Sequence, residues 1–98
     1  MHHYIVNASL QVLPVATEKH PYEWVDEAIA IIKESGIKCE VGPFTTVVEG
    51  TYEQVMKAIN DINQYLYSKH CNEWILGVQI QIRSGGDITG EEKTAKHK

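Results

Sequence analysis

Apolar residues recur along this chain with two different spacings, and the order of those spacings restricts the fold more than any other feature. Alternation at every second position predicts a strand, whereas recurrence at three and four positions predicts a helix. Read from the N-terminus, the order is strand, helix, strand, followed by the same three elements again. Two consecutive βαβ halves of similar length therefore account for residues 4–83 of the 98.

The predicted strands and helices end at residues that disfavour their continuation. Strands are predicted over residues 4–13, 37–41, 44–49 and 74–83. Pro14 is expected to end the first strand because it has no N–H to donate to a neighbouring strand. Pro21 suits the first turn of a helix, and Gly36 can end that helix in the left-handed conformation. The second helix follows Thr51 and Gln54, whose spacing matches a capping box.

Short right-handed connections place both helices on one face of a four-stranded antiparallel sheet, with the first and third strands in the middle. The order βαββαβ therefore predicts an α+β fold, a ferredoxin-like sandwich over residues 1–87. Residues 88–98 are polar and lack apolar periodicity, so we interpret them as a polar C-terminal tail, either mobile or weakly helical. The face of the sheet without helices must meet solvent, a partner or a ligand.

Length and composition describe one small domain. Hydrophobic residues make up 43% of the chain and charged residues 22%, as in ordinary globular proteins. A domain of this size buries a modest share of its surface, so we expect self-association. No apolar run reaches the roughly 20 residues of a membrane span, and the start of the chain lacks the features of a signal peptide. We therefore expect a cytoplasmic protein.

Charge and reactive side chains disfavour several kinds of partner. The formal net charge is −4 and Arg83 is the only arginine, whereas nucleic-acid binding requires clustered Lys and Arg. Cys39 and Cys71 lie in no CxxC motif and are expected to be free thiols. The histidines show no convincing metal-ligand spacing, so we expect neither a metal nor a cofactor.

Neutral polar side chains concentrate on one face of the first and last predicted strands. They are Asn7, Ser9, Gln11, Gln79 and Gln81. Amides and hydroxyls both donate and accept hydrogen bonds, which suits the edge of a flat heterocycle with ring nitrogens and an exocyclic amine. The same residues also fit an ordinary solvent-facing sheet surface, and the sequence leaves both interpretations open.

No arrangement of residues in the sequence indicates catalysis, and we expect a protein that is not an enzyme. The chain has no nucleophile elbow, phosphate-binding glycine loop or HExxH motif. Acylphosphatases share the predicted fold but need an early phosphate-binding arginine, and Arg83 comes late. RNA-recognition domains need aromatic residues on the two central strands, where Phe44 is at best a candidate. The alternative to ligand binding is a structural or regulatory homo-oligomer whose polar sheet face is the subunit interface.

One segment is similar to the signature of a known family. Residues 42–50, Gly-Pro-Phe-Thr-Thr-Val-Val-Glu-Gly, resemble the GP-x-x-T-x-x-EG pattern of the YkoF-like thiamine-binding family. Residues 9–14 with Thr17 resemble the family's first strand and its exit, and residues 80–83 resemble its last strand. The resemblance extends over residues 4–87, which agrees with the predicted ferredoxin-like fold.

The sequence departs from the family pattern at three places. Ala16 and Thr45 stand where the family usually has glycine, and the C-terminal segment is shorter and more polar than the family's helix. These departures bear more on the ligand and on subunit association than on the fold.

The resemblance implies non-catalytic binding of thiamine or its hydroxymethylpyrimidine part, on the open sheet face and at subunit contacts. The implied ligand-binding residues are Ser9, Gln11, Thr45, Thr46, Glu49, Trp74, Gln79 and Gln81. The sequence does not settle which of Thr45 and Thr46 faces outward. Glu49 would attract a cation such as thiazolium, on which Trp74 could stack. Glu49 and Gly50 are equally well explained as a strand end before a helix cap.

Overall fold

The computed structural model describes residues 1–16 and 21–95. The elements are β1 (Ile5–Ala16), α1 (Pro21–Glu34), β2 (Lys38–Val41), β3 (Thr46–Thr51), α2 (Tyr52–Ser68), β4 (Glu73–Gln81) and α3 (Gly90–Thr94). The four strands form one antiparallel sheet in the order β2-β3-β1-β4, and helices α1 and α2 cover one of its faces. The predicted ferredoxin-like fold is confirmed, with β1 and β3 in the middle of the sheet.

The hydrophobic core lies between the sheet and the two long helices. Alternate residues of β1 and β3 face it, as do residues of α1 and α2 at helical spacing. Its buried residues are Val6, Ala8, Leu10, Trp24, Ala28, Ile32, Val48, Val55, Ile62, Leu66 and Cys71. Because these side chains use one face of the sheet, the other face is left free for polar residues.

The predicted capping box at the start of α2 is confirmed. The Thr51 hydroxyl accepts a hydrogen bond from the Gln54 N–H at 3.2 Å, and the Gln54 side chain accepts one from the Thr51 N–H at 2.9 Å. Both bonds satisfy backbone donors that have no partner within the helix. After α2, His70 adopts φ +63°, the left-handed conformation that favours glycine.

β1 is longer than the sequence predicted. The prediction that Pro14 ends it was wrong, because β1 continues to Ala16 and Pro14 pairs with Trp74 of β4. β3 pairs with β1 only as far as Leu10, so beyond that point β1 has one neighbour instead of two. A proline can occupy such an edge if its nitrogen faces the unpaired side. A register irregularity between Pro14 and Ala16 accompanies the extension.

The segment after β4 folds back over the sheet face that lacks α1 and α2. We call residues 83–95 the C-terminal strap. Within it Ile88 is 3% exposed, and its N–H donates to the Ile5 carbonyl at 3.0 Å. The described part of the predicted tail is therefore packed against the domain and includes the short helix α3, so nothing in the packing separates residue 88 from residue 87. Residues 96–98 lie outside the described part, as does Thr17.

Both cysteines are free thiols, as predicted. Cys71 is buried in the core, whereas Cys39 on β2 is partly exposed. Over residues 1–16 and 21–95, no helix combines the length and the apolar character needed to cross a bilayer.

Candidate functional site

The strand register places the predicted neutral polar residues on one face of the sheet. Asn7 lies between Glu49 and Gln81, Ser9 lies between Val47 and Gln79, and Gln11 lies beside Gly77. Directly paired residues share a face, so these side chains lie together on the face opposite α1 and α2. The edge strand β2 adds Lys38 and Glu40, which pair with Glu49 and Val47 respectively.

Glu49 is the best-shielded charged group on this face. Its side chain is 12% exposed, and its Oε2 lies 3.3 Å from the Lys38 ammonium. Its Oε1 accepts hydrogen bonds from Asn7 Nδ2 at 3.4 Å and from the Gly90 N–H. One carboxylate therefore joins β1, β2, β3 and the C-terminal strap, and each oxygen already has at least one partner.

A cleft of about 490 Å³ opens between α3 and strands β2 and β3, beside Glu49. Its lining residues are Asn7, Lys38, Cys39, Glu40, Val47, Glu49, Gly90, Glu91, Lys93 and Thr94. This volume lies within the range of small-molecule sites. The described lining carries three carboxylates and two ammonium groups, so the cleft has a slight excess of negative charge.

The C-terminal strap supplies one wall of this cleft. Thr89 caps α3 by accepting the Glu92 N–H at 3.1 Å, and the Lys93 ammonium donates to Gln81 Oε1 at 3.0 Å. The strap also covers Asn7, which is only 5% exposed despite its polar side chain. Asn7 therefore donates a hydrogen bond to Glu49 beneath the strap and is not part of an exposed surface. This differs from the expectation that this face is uncovered throughout.

Three of the residues predicted for the site continue the polar surface beyond the cleft. Ser9 is partly buried, whereas Gln79 and Gln81 are exposed. With Gln11, they form a neutral strip along β1 and β4 that borders the charged cleft. Of the eight predicted residues, the structure thus brings Glu49, Ser9, Gln11, Gln79 and Gln81 onto one face.

The other three predicted residues lie away from that face. Thr46 pairs with Leu10 on the helix-covered side and is 6% exposed, so it is not available to the open face. Thr45 precedes β3 and lines a second, smaller groove of about 210 Å³, between α1 and the end of the sheet. The stacking role expected of Trp74 does not fit its position either. Its indole packs against the core and donates to Asn63 Oδ1 on α2 at 3.0 Å.

Gly50, the last residue of the family-like signature, has a packing role. A Cβ added there would lie 2.7 Å from Gln54 Oε1 and 3.0 Å from Ile37 Cδ1, so a side chain does not fit beside the capping box. The two halves of the Glu49-Gly50 pair therefore differ: Glu49 faces the cleft, whereas Gly50 allows α2 to start close against the sheet.

Several cleft residues were not predicted from the sequence. Lys38 and Glu40 could have been found, since they alternate with Cys39 on a predicted strand. Gly90, Lys93 and their neighbours could not be predicted as cleft residues, because their segment lacks apolar periodicity. The described residues contain no cluster of three His, Cys, Asp or Glu side chains able to hold a metal ion.

The arrangement is suited to binding. A shielded carboxylate with an ammonium group and an amide around it can exchange one of these partners for a ligand donor or cation. The adjoining amides and hydroxyl can pair with a heterocycle edge through one donor and one acceptor. Fold and cleft together define a class: small ferredoxin-like α+β proteins that carry a polar cleft on the sheet face opposite their helices.

Comparison with known proteins identifies the family within that class. The chain belongs to the thiamine-binding protein family, whose model matches residues 8–98. The UPF0045 protein of Clostridium perfringens is 33% identical over 92 residues, covering 94% of this chain and 96% of the relative. The resemblance drawn from residues 42–50 is therefore confirmed at the level of the family.

Solved structures agree with this assignment. A Thermotoga maritima protein provisionally assigned to thiamine biosynthesis or salvage is 35% identical, with a TM-score of 0.85 and coverage of 96% of this chain and 99% of that one. A domain of unknown function, DUF77, from Bacillus cereus is 29% identical, with a TM-score of 0.90 and coverage of 98% and 92%. A Methanocaldococcus protein at 22% identity shares the fold, with a TM-score of 0.83.

Proposed function

We propose that this protein binds thiamine or its hydroxymethylpyrimidine part without chemical change, in the cleft beside Glu49 and along the adjoining polar strip. The observation that carries the proposal is the shielded Glu49 carboxylate at the edge of a cleft of about 490 Å³. Membership of the thiamine-binding family supports the choice of ligand.

The two parts of thiamine suit the two parts of the surface. The aminopyrimidine is neutral and offers donors and acceptors, which Ser9, Gln11 and Gln79 can match. The thiazolium ring is cationic, and Glu49 can attract it by replacing Lys38 as the charged partner. The Lys38 side chain is 71% exposed, so its ion pair with Glu49 is weak and can be exchanged at low cost.

Calorimetric titration of the full chain with thiamine and with hydroxymethylpyrimidine tests both parts. We expect Glu49→Gln to weaken thiamine binding about ten- to hundredfold, because a charge-assisted contact is worth about 1.5–3 kcal/mol. Binding of the uncharged pyrimidine should change much less. Glu53→Gln is the matched control, since Glu53 lies exposed on α2 and away from the cleft. Absence of any thiamine binding at millimolar concentration contradicts the proposal.

A nucleotide provides the specificity control. Its phosphates carry negative charge, which the carboxylates of the cleft repel. In a thermal unfolding experiment, thiamine should raise the midpoint because it binds only the folded chain, whereas the nucleotide should not. Equal shifts with both compounds would indicate binding without recognition of the pyrimidine.

Self-association forms the second part of the proposal. Leu13 and Ile75 are neighbours on the open face and are 45% and 55% exposed, so an apolar patch continues the polar strip toward one end of the sheet. A second copy of the chain placed on this patch would form a homodimer or homotetramer with ligand sites near the subunit contacts. If the assembly forms but no ligand binds, the polar face serves as a structural or regulatory interface instead.

A further inference from the structure

We propose that the C-terminal strap is a movable wall of the cleft and that the contact between Gly90 and Glu49 holds it closed. The inference concerns the regulation of the site described above and so rests on the proposed function. It follows from how the strap is attached to the rest of the molecule.

The strap cannot keep its shape through local interactions alone. Helix α3 has five residues, far fewer than an isolated helix needs in water. Within the strap, Arg83 pairs with Glu92 at 3.0 Å, but both side chains are about half exposed. Ion pairs in contact with water contribute little. The conformation of α3 therefore depends on its contacts with the sheet.

Those contacts divide into a fixed end and a releasable end. At the fixed end Ile88 is buried, and Asp87 and Ile88 form hydrogen bonds with both backbone groups of Ile5. Beyond Ile88, the Gly90 N–H donates to the shielded Glu49 carboxylate, and Lys93 bonds the exposed Gln81. Because shielding from water strengthens a charge-assisted bond, the contact with Glu49 is the main attachment of the releasable end.

The position of the cleft connects this attachment to ligand binding. Gly90, Glu91, Lys93 and Thr94 line the cleft on one side, and Glu49 lies on the other. A ligand in the cleft contacts both walls and therefore holds the strap closed. Opening the strap removes one wall and must therefore lower the affinity for the ligand. The binding free energy lost when the strap opens equals the free energy by which the bound ligand favours the closed strap.

The substitution Gly90→Ala tests the attachment while Glu49 itself stays in the chain. A Cβ at this position would lie 2.8 Å from Glu49 Oε1, so the strap or the carboxylate must shift. Gly85→Ala is the matched control, because a Cβ at Gly85 meets nothing within 4 Å. Hydrogen exchange of the full chain without ligand should then show the amides of residues 89–94 exchanging about tenfold faster in Gly90→Ala alone.

Exchange of the β1 amides serves as the internal reference for an intact fold. Equal exchange of residues 89–94 in the two variants and the wild type, with β1 still protected, overturns the attachment through Gly90. This comparison needs no ligand, so it decides the inference even if the wild type fails to bind thiamine and the proposed function is lost.

A second measurement tests the coupling. Thiamine should slow exchange of residues 89–94 in the wild type, and calorimetry should show about tenfold weaker thiamine binding in Gly90→Ala than in Gly85→Ala. If Gly90→Ala loosens the strap and the affinity is unchanged, the strap is not a wall of the binding site and the inference is wrong.

Discussion

The left-handed conformation of His70 closes the C-terminus of α2. The His70 N–H donates to the Tyr67 carbonyl at 3.2 Å and the Cys71 N–H donates to the Leu66 carbonyl at 3.0 Å, so the turn satisfies carbonyls that the helix leaves free. A side chain with a Cβ adopts φ +63° at a cost of about 1–2 kcal/mol, which glycine avoids. His70 therefore forms the turn that ends α2 at the cost of a strained backbone conformation.

We expect His70→Gly to stabilise the protein by about 0.5–1 kcal/mol, the relief of strain less the greater entropy of glycine in the unfolded chain. Urea denaturation followed by circular dichroism measures the change in the free energy of unfolding. His70→Ala is the control, since alanine keeps the Cβ and should bring no gain. Equal stability of the two variants would show that the left-handed backbone is not the source of strain.

At the scale of elements, the bond between Trp74 and Asn63 joins β4 to α2 on the side of the sheet away from the cleft. We expect Asn63→Ala to lower the free energy of unfolding by about 1–3 kcal/mol, because it leaves a partly buried indole N–H without its partner. Thiamine affinity should stay unchanged. Asn60→Ala is the control on the same helix, where the side chain is exposed.

Urea denaturation measures the change in the free energy of unfolding, and calorimetry measures the thiamine affinity. A parallel loss of stability and affinity in Asn63→Ala would place Trp74 in the ligand site after all. A loss of affinity alone would mean that the indole orientation matters to the ligand and not to the fold.

The elements differ in how far the sequence could predict them. β4 and both long helices were predictable because local periodicity and end residues such as Thr51 specify them. Glu49 was predictable as a residue of the candidate site from the signature around it. The strap was not, because its position depends on the contact between Glu49 and Gly90, which are 41 residues apart in the chain. Alternation along β4 places Trp74 on the same face as Leu76, which the helices cover, so its expected stacking role rested on the implied cationic ligand and not on the strand pattern.

At the scale of the whole molecule, the two edges of the sheet differ. β2 is four residues long and carries Lys38 and Glu40, features that discourage pairing with another chain. β4 is nine residues long and has no charge after Glu73. Its exposed Ile75 belongs to the apolar patch on the open face. The β4 end is therefore where we expect subunits to meet.

We expect Ile75→Lys to reduce the assembly to a monomer of 11.1 kDa, because two copies would bring like charges into an apolar contact. Light scattering coupled to size exclusion measures the mass at several protein concentrations. Tyr67→Lys is the control, since Tyr67 is also highly exposed but lies on α2. A wild-type mass of one chain at all concentrations contradicts the expected self-association.

The unequal environments of the two thiols have a practical consequence. Cys39 is partly exposed on the edge strand β2, whereas Cys71 is buried in the core. A maleimide fluorophore should therefore attach to the folded wild-type chain at a single position, without any cysteine having to be introduced or removed. Emission from that position would report on the environment of β2, whose opposite face carries Lys38 and Glu40 of the cleft, so changes in this strand could be followed in real time.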